Sequence, residues 1–175
     1  MTLDLAATDS HLVNLDLQSL GQEVTSASFE PIGGGTFRIT VDFDPNQLQT
    51  GARTLARLQV VTQPNGHSSI ARLDLDGVSA SRNGGEAMAR GAGTSGRIYI
   101  IENEPLLETT LAGPGVLWVT IYGIPGQRYR LQSSATLKAG TIWEDVGTVE
   151  LMGTYQIVEQ PLTPSPRFYR VLAAQ

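Results

Sequence analysis

Thr36-Phe37-Arg38-Ile39-Thr40-Val41-Asp42-Phe43-Asp44 is the stretch that decides the fold class. Phe37, Ile39, Val41 and Phe43 alternate with Thr36, Arg38, Thr40, Asp42 and Asp44. Successive side chains of a strand point to opposite faces, so this run offers one face to a core and one to water. It predicts a half-buried antiparallel strand. Outward from it the same period of two recurs. Val13, Leu15 and Leu17 alternate with Asn14, Asp16 and Gln18, and further strands are predicted over residues 24–30, 55–62, 69–76 and 97–101. No window has the period of a helix.

The punctuation agrees. Gly33-Gly34-Gly35, Pro64-Asn65-Gly66, Asp76-Gly77 and Asn83-Gly84-Gly85 read as turns. Residues 86–90, between glycines, read as one helical turn or a short strand. The triple glycine is followed by a strand, whereas a phosphate cradle needs a helix there, so it reads as a hairpin turn.

The pattern pauses at Glu102–Pro105 and then resumes over residues 106–111, 116–124, 127–134, 143–151, 155–160 and 167–173. Between residues 116 and 122 both faces are apolar, with Val116, Trp118 and Tyr122 against Leu117, Val119 and Ile121. This predicts a central strand covered on both sides. Pro161, Pro164 and Pro166 make a stiff connector to the last strand, where no ladder donor is needed. Short strands at this spacing predict an all-β protein of two consecutive antiparallel β-sandwich-like domains, residues 1–104 and 105–175.

Composition narrows the function. The 175 residues carry a net charge of −5 and scattered arginines, which leaves no basic face for nucleic acid. There is no cysteine, so disulfides, thiol catalysis and Cys-ligated metal are excluded. No run approaches the ~20 apolar residues of a membrane span. Residues 1–20 lack the basic start and apolar run of a signal peptide, so any export signal is expected to be absent from this chain.

Residues 116–175 resemble the C-terminal module of large exported surface proteins of Verrucomicrobia-type bacteria. The likeness is carried by a Val-rich strand, by Gly126-Gln127-Arg128-Tyr129-Arg130-Leu131-Gln132-Ser133-Ser134, by Leu137 and Trp143, and by the closing Arg167-Phe168-Tyr169-Arg170-Val171. Glu159 and Gln160 stand where that pattern has an Asp-led segment. Residues 10–103 have a weaker likeness to cohesin-like sandwiches, through Leu20-Gly21-Gln22-Glu23 leading to Phe29 and Phe43-Asp44-Pro45 before Leu48. The resemblance implies an extracellular or cell-surface protein built of β-sandwich modules, and no catalytic residues.

Candidate chemistry is sparse. Asp42, Asp44 and Asn46 place three oxygen side chains at alternate positions, as at the start of a calcium loop, with Asp74 and Asp76 as further contributors. An EF-hand is excluded, because Gln47 and Arg53 stand where it needs Gly and Glu. A looser Ca2+ site at a strand end is the one cofactor reading, beside the plainer one of a polar strand face entering an Asx-Pro turn. His67 with Ser68 or Ser69 and Asp74 has no nucleophile elbow around it, so His67 and His11 read as solvated. Glu102, Glu104 and Glu108 read as solvated charge at the domain boundary.

The aromatics Trp118, Tyr122, Tyr129, Trp143, Tyr155, Phe168 and Tyr169 concentrate in the second half. In a small domain they serve first as core fillers. A carbohydrate-binding platform is the competing reading, with Trp143, which opens a strand after Gly140-Thr141, and Tyr155 as its ring candidates. Residues 3–20, with Leu3, Leu5, Val13, Leu15 and Leu17 alternating, suit donation to a neighbouring sheet edge, beside the plain reading of a first strand in its own sandwich. The expected function is therefore a non-enzymatic extracellular or cell-surface module. It acts through assembly with other modules or copies of itself, as a fibre subunit by strand donation; the alternative is a carbohydrate-binding accessory module with polysaccharide as partner.

Overall fold

The structure, a computed structural model, describes the chain except residues 8, 10, 20, 45, 47–50, 53, 64–66, 83–84, 88–90 and 175, and describes residues 13 and 19 by backbone alone. The described residues form thirteen strands and no helix, so none is long and apolar enough to cross a membrane. The chain is all-β. It divides into two compact units: Met1–Asn65 with Ile70–Ile98, and Gly66–Ser69 with Tyr99–Gln175.

β1 (Thr2–Ala7), β3 (Val24–Gly33), β4 (Thr36–Phe43), β6 (Ser69–Ser79) and β7 (Gly96–Ile100) form a five-stranded sheet in the order β3-β4-β1-β6-β7, all of it in the first unit except Ser69 at the start of β6 and Tyr99 and Ile100 at the end of β7. β2 (Leu12–Ser19) and β5 (Ala56–Thr62) form a separate antiparallel ladder. The alternation of Thr36–Phe43 is realised as read: Ile39 and Val41 are buried, and with Leu5 they centre a cluster that Leu15, Leu17 and Leu58 pack against. β3 and β4 join through Gly34 and Gly35, both at positive φ, between the paired Gly33 and Thr36. Two left-handed residues in a two-residue loop match the twist of a hairpin, and glycine takes that backbone without strain.

Asp76-Gly77 is not a chain reversal. It lies inside β6, where Thr2 pairs with Ser79 and Asp4 with Asp76, so one strand carries an extra residue, and Gly77 has positive φ. The turn-like dipeptide makes a β-bulge, which bends a strand without ending it. Of the other turn readings, Pro64-Asn65-Gly66 lies outside the described residues, as do Asn83, Gly84 and residues 88–90. Ala87 forms an isolated bridge with Ser81.

The second unit has two three-stranded antiparallel sheets. β8 (Leu106–Gly113), β9 (Val116–Tyr122) and β12 (Tyr155–Pro161) are ordered β12-β9-β8, and β10 (Arg128–Ser134), β11 (Glu144–Glu150) and β13 (Phe168–Ala173) are ordered β11-β10-β13. Val119, Ile121, Tyr129, Leu131 and Leu151 form the buried centre, with Tyr169 and Val171 packed against it. Of the closing aromatic pair, Tyr169 seals this core while Phe168, of opposite parity, stays exposed.

The corner between β9 and β10 is the tightest point. Gln127 N–H donates to the Ile124 carbonyl at 3.1 Å across Pro125-Gly126, with Gly126 at positive φ. The buried Tyr129 ring lies against Gly123, where an added Cβ would come within 2.6 Å of the ring, and its hydroxyl accepts the Ile124 N–H at 2.9 Å. Gly123→Ala is expected to destabilise this unit by about 1–3 kcal/mol through overpacking. Tyr129→Phe is expected to cost about 1 kcal/mol for the lost bond. Both tryptophans, Trp118 and Trp143, lie in this unit, so the denaturation midpoint read by intrinsic fluorescence measures both effects.

Candidate functional site

The parity of β9 divides its residues cleanly. Val119 and Ile121 point into the core with no exposure, so Trp118, Thr120 and Tyr122 must point out of the sheet. The register brings their neighbours to the same face. Tyr155 and Leu106 flank Tyr122, Ile157 and Glu108 flank Thr120, and Glu159 and Thr110 flank Trp118. This outer face is the candidate site.

Its aromatic groups are tied together. Tyr99, which belongs to the second unit, stacks on Tyr122 with ring centroids 4.0 Å apart and planes 16° from parallel. Tyr155 tilts against Tyr122 at 6.0 Å. The Tyr99 and Tyr122 hydroxyls both donate to Glu108 Oε2, at 2.9 and 3.0 Å. Trp118 Nε1 donates to Glu159 Oε1 at 3.2 Å, which tethers the indole toward β12. Tyr155 is 57% exposed, Ile157 40% and Trp118 38%, so the face is open to solvent. Aromatic rings of this kind present an apolar body with a polar handle, and fixed carboxylates beside them are strong hydrogen-bond acceptors.

The expectation that β9 is covered on both sides is corrected here. It is the central strand of its sheet, and on its outer side Tyr122 is half-buried beneath Tyr99 and Tyr155 while Trp118 stays exposed. Tyr155 joins the face, and Trp143 does not. Trp143 precedes β11 on the other sheet, and the Arg170 guanidinium sits 4.4 Å above its ring. Arg170 Nε in turn donates to Gln132 Oε1 at 2.8 Å, and Gln132 Nε2 to Asp145 Oδ1 at 2.7 Å. One face of the Trp143 ring is thus occupied by a cation of its own chain. Trp118, Tyr122, Tyr99, Glu108 and Glu159 are residues of this face that the sequence alone does not single out as a site. The signal was present in the parity, because Leu117, Val119 and Ile121 already account for the core face.

The remaining candidates are placed plainly. Asp42 Oδ2 accepts a bond from Ser26 Oγ at 2.6 Å, and Asp44 Oδ1 accepts from the backbone and side-chain nitrogens of Asn46 at 2.9 and 3.1 Å. That is a polar strand face leading into an Asx turn. Among the described residues no three His, Cys, Asp or Glu side chains gather to hold a metal. Leu3 and Leu5 lie in β1, whose two edges are taken by β4 and β6 of the same chain. Leu15 and Leu17 lie in β2, paired with β5, and the Val13 side chain is outside the described residues. His11 is not solvated: it is buried, with Nδ1 2.6 Å from Asp9 Oδ1. Ser68 is engaged as a donor to the Glu104 carbonyl and as acceptor of the Glu102 N–H. Comparison with protein-family models, curated proteins and solved structures finds no match.

Burial first, and then the bonds with Tyr99 and Glu108, hold the Tyr122 hydroxyl well above the ordinary tyrosine range. The folded state therefore favours the neutral phenol. Its contribution to stability is intact below about pH 10, the unfolded value, and is lost as pH rises beyond it. An alkaline absorbance titration of the protein's five tyrosines is expected to show one late ionisation that coincides with unfolding and is missing in Tyr122→Phe.

Proposed function

We propose that the protein is a non-enzymatic extracellular or cell-surface adhesion module whose second unit holds carbohydrate on the outer face of the β12-β9-β8 sheet. The observation that carries this reading is the cluster of Tyr99, Tyr122, Tyr155 and Trp118 on one open face, with Glu108 and Glu159 bonded among them. The apolar C–H face of a sugar ring fits against the negative face of an aromatic ring, while its hydroxyls need acceptors beside that ring. Both are present. The Tyr–Glu and Trp–Glu bonds hold the rings before any ligand arrives, which lowers the ordering cost of binding. The exported setting rests on the resemblance of residues 116–175 to modules of surface proteins.

Assembly by donation of residues 3–20 is the weaker reading. β1 is central in its own sheet and pairs over its length with both β4 and β6, so donation would break two ladders at once.

Retention on an insoluble polysaccharide tests the carbohydrate reading. Tyr155→Ala is expected to weaken retention about tenfold, the effect of ~1.4 kcal/mol, while Trp143→Ala leaves it unchanged. The opposite pattern would move the ligand to the β11-β10-β13 sheet. Unaltered retention in a Tyr155→Ala/Trp118→Ala double variant would overturn the reading.

A further inference from the structure

We infer that the aromatic face accepts uncharged glycan chains and turns acidic polysaccharides away. This deepens the carbohydrate reading and rests on it. The three strands of the face, Leu106–Gly113, Val116–Tyr122 and Tyr155–Pro161, contain Glu108 and Glu159 and no Arg, Lys or His. Register places these two carboxylates on opposite flanks of β9, Glu108 beside Thr120 and Glu159 beside Trp118. A chain lying over β9 runs between them.

The basic residues on the strands of this unit are on the other sheet. Arg128 and Arg130 lie on β10 and Arg170 on β13, and Arg170 is engaged with Gln132 and Trp143. A uronate or sulfate laid over these three strands would therefore meet two negative groups and no cation of theirs, the flanking Arg97 lying on β7, two residues before Tyr99. Both carboxylates are held in place, Glu108 by two phenol donors and Glu159 by an indole, so neither swings away without giving up those bonds. A ligand that covers the face also removes the water that would screen the repulsion. Neutral sugar hydroxyls meet the opposite situation, since they donate to carboxylates in charge-assisted bonds.

The face is longer than one sugar ring. Trp118 and Tyr122 are four residues apart on β9, about 13–14 Å at ~3.4 Å per residue. The fit is to a run of sugars along the strand, with Tyr155 broadening one end and Trp118 marking the other.

Matched polymers test this directly. Cellulose, amylose and dextran, each in hydroxyethyl and carboxymethyl form, share a backbone within each pair and differ in charge. Affinity electrophoresis of the full chain is expected to show retardation by at least one hydroxyethyl polymer. Its carboxymethyl partner should bind about tenfold more weakly at low salt, with the gap closing as salt is raised. The Glu108→Gln/Glu159→Gln double variant should narrow the ratio between the two forms, whatever its absolute retardation. Equal binding of both forms by the native protein would overturn the charge selection and leave the carbohydrate reading standing. A ratio unchanged in the double variant would also overturn it, and no retardation by any polymer would overturn both.

Discussion

The second unit depends on the lock between Tyr129 and the β9–β10 corner. The Tyr129 ring fills the space over Gly123, and its hydroxyl satisfies the Ile124 N–H, which the Pro125-Gly126 turn leaves outside any ladder. The corner is also stitched to the segment after β11: Gly126 N–H donates to the Leu151 carbonyl, Leu151 N–H to the Gln127 carbonyl, and Gly123 N–H to the Thr154 carbonyl. Leu151 is fully buried at this point. One aromatic side chain thus sets the direction in which the chain passes from one sheet to the other. With that passage set, the parity of β9 is no longer free. A slip of one residue would drive Trp118 and Tyr122 inward and expose Val119 and Ile121.

That constraint explains how large aromatics come to lie on an open face. Leu117, Val119 and Ile121 fill the core side of β9, and Leu107 and Val158 pack with them from the flanking strands. The outer side is then available for groups whose burial the fold does not require. Rings left in water contribute less to folding than the same rings in a core. Here they contribute rigidity: three tyrosines in contact and two phenol donors on one carboxylate leave little rotamer freedom to lose on binding. The other sheet uses its tryptophan in a different way. Trp143, Arg170, Gln132 and Asp145 form a chain of contacts that ties loop, β13, β10 and β11 together. The same residue type is structural on one sheet and available on the other, according to what its neighbours occupy.

The first unit shows the same logic with aliphatics. Leu5, Ile39 and Val41 cover one side of adjacent strands, and Asp4 on the other side takes Arg38 in two bonds of 2.9 and 3.1 Å. That guanidinium holds the Asp4 carboxyl below its usual range. The pair is solvent-exposed, so it secures register more than stability. β1 completes this sheet from its centre, although the alternating N-terminal residues by themselves fit a donated strand as well as an internal one. Alternation reports one apolar face and is silent about whose sheet the strand enters.

Period-two alternation determined the all-β class and the strands, because a residue's parity is a local property of an extended chain. The hairpin at Gly34-Gly35 was legible for the same reason, since its backbone requirement is met by residue type alone. The bulge at Gly77 was not, because a bulge and a turn use the same dipeptide and differ in what the partner strand does. Tyr155 was legible as a ring candidate, while Trp118, Tyr122 and Tyr99 were not. A run apolar on both sides does not say which side finds a covering layer, and Tyr99 reaches Tyr122 from far outside the strand. Glu108 reads as loose charge near a boundary, because only strand pairing brings the hydroxyls of Tyr99 and Tyr122, on the strands before and after its own, onto one carboxylate. The sequence by itself determined which residues could share a face; tertiary structure decided which faces were filled, because a core closes over the side that packs and leaves the other to solvent.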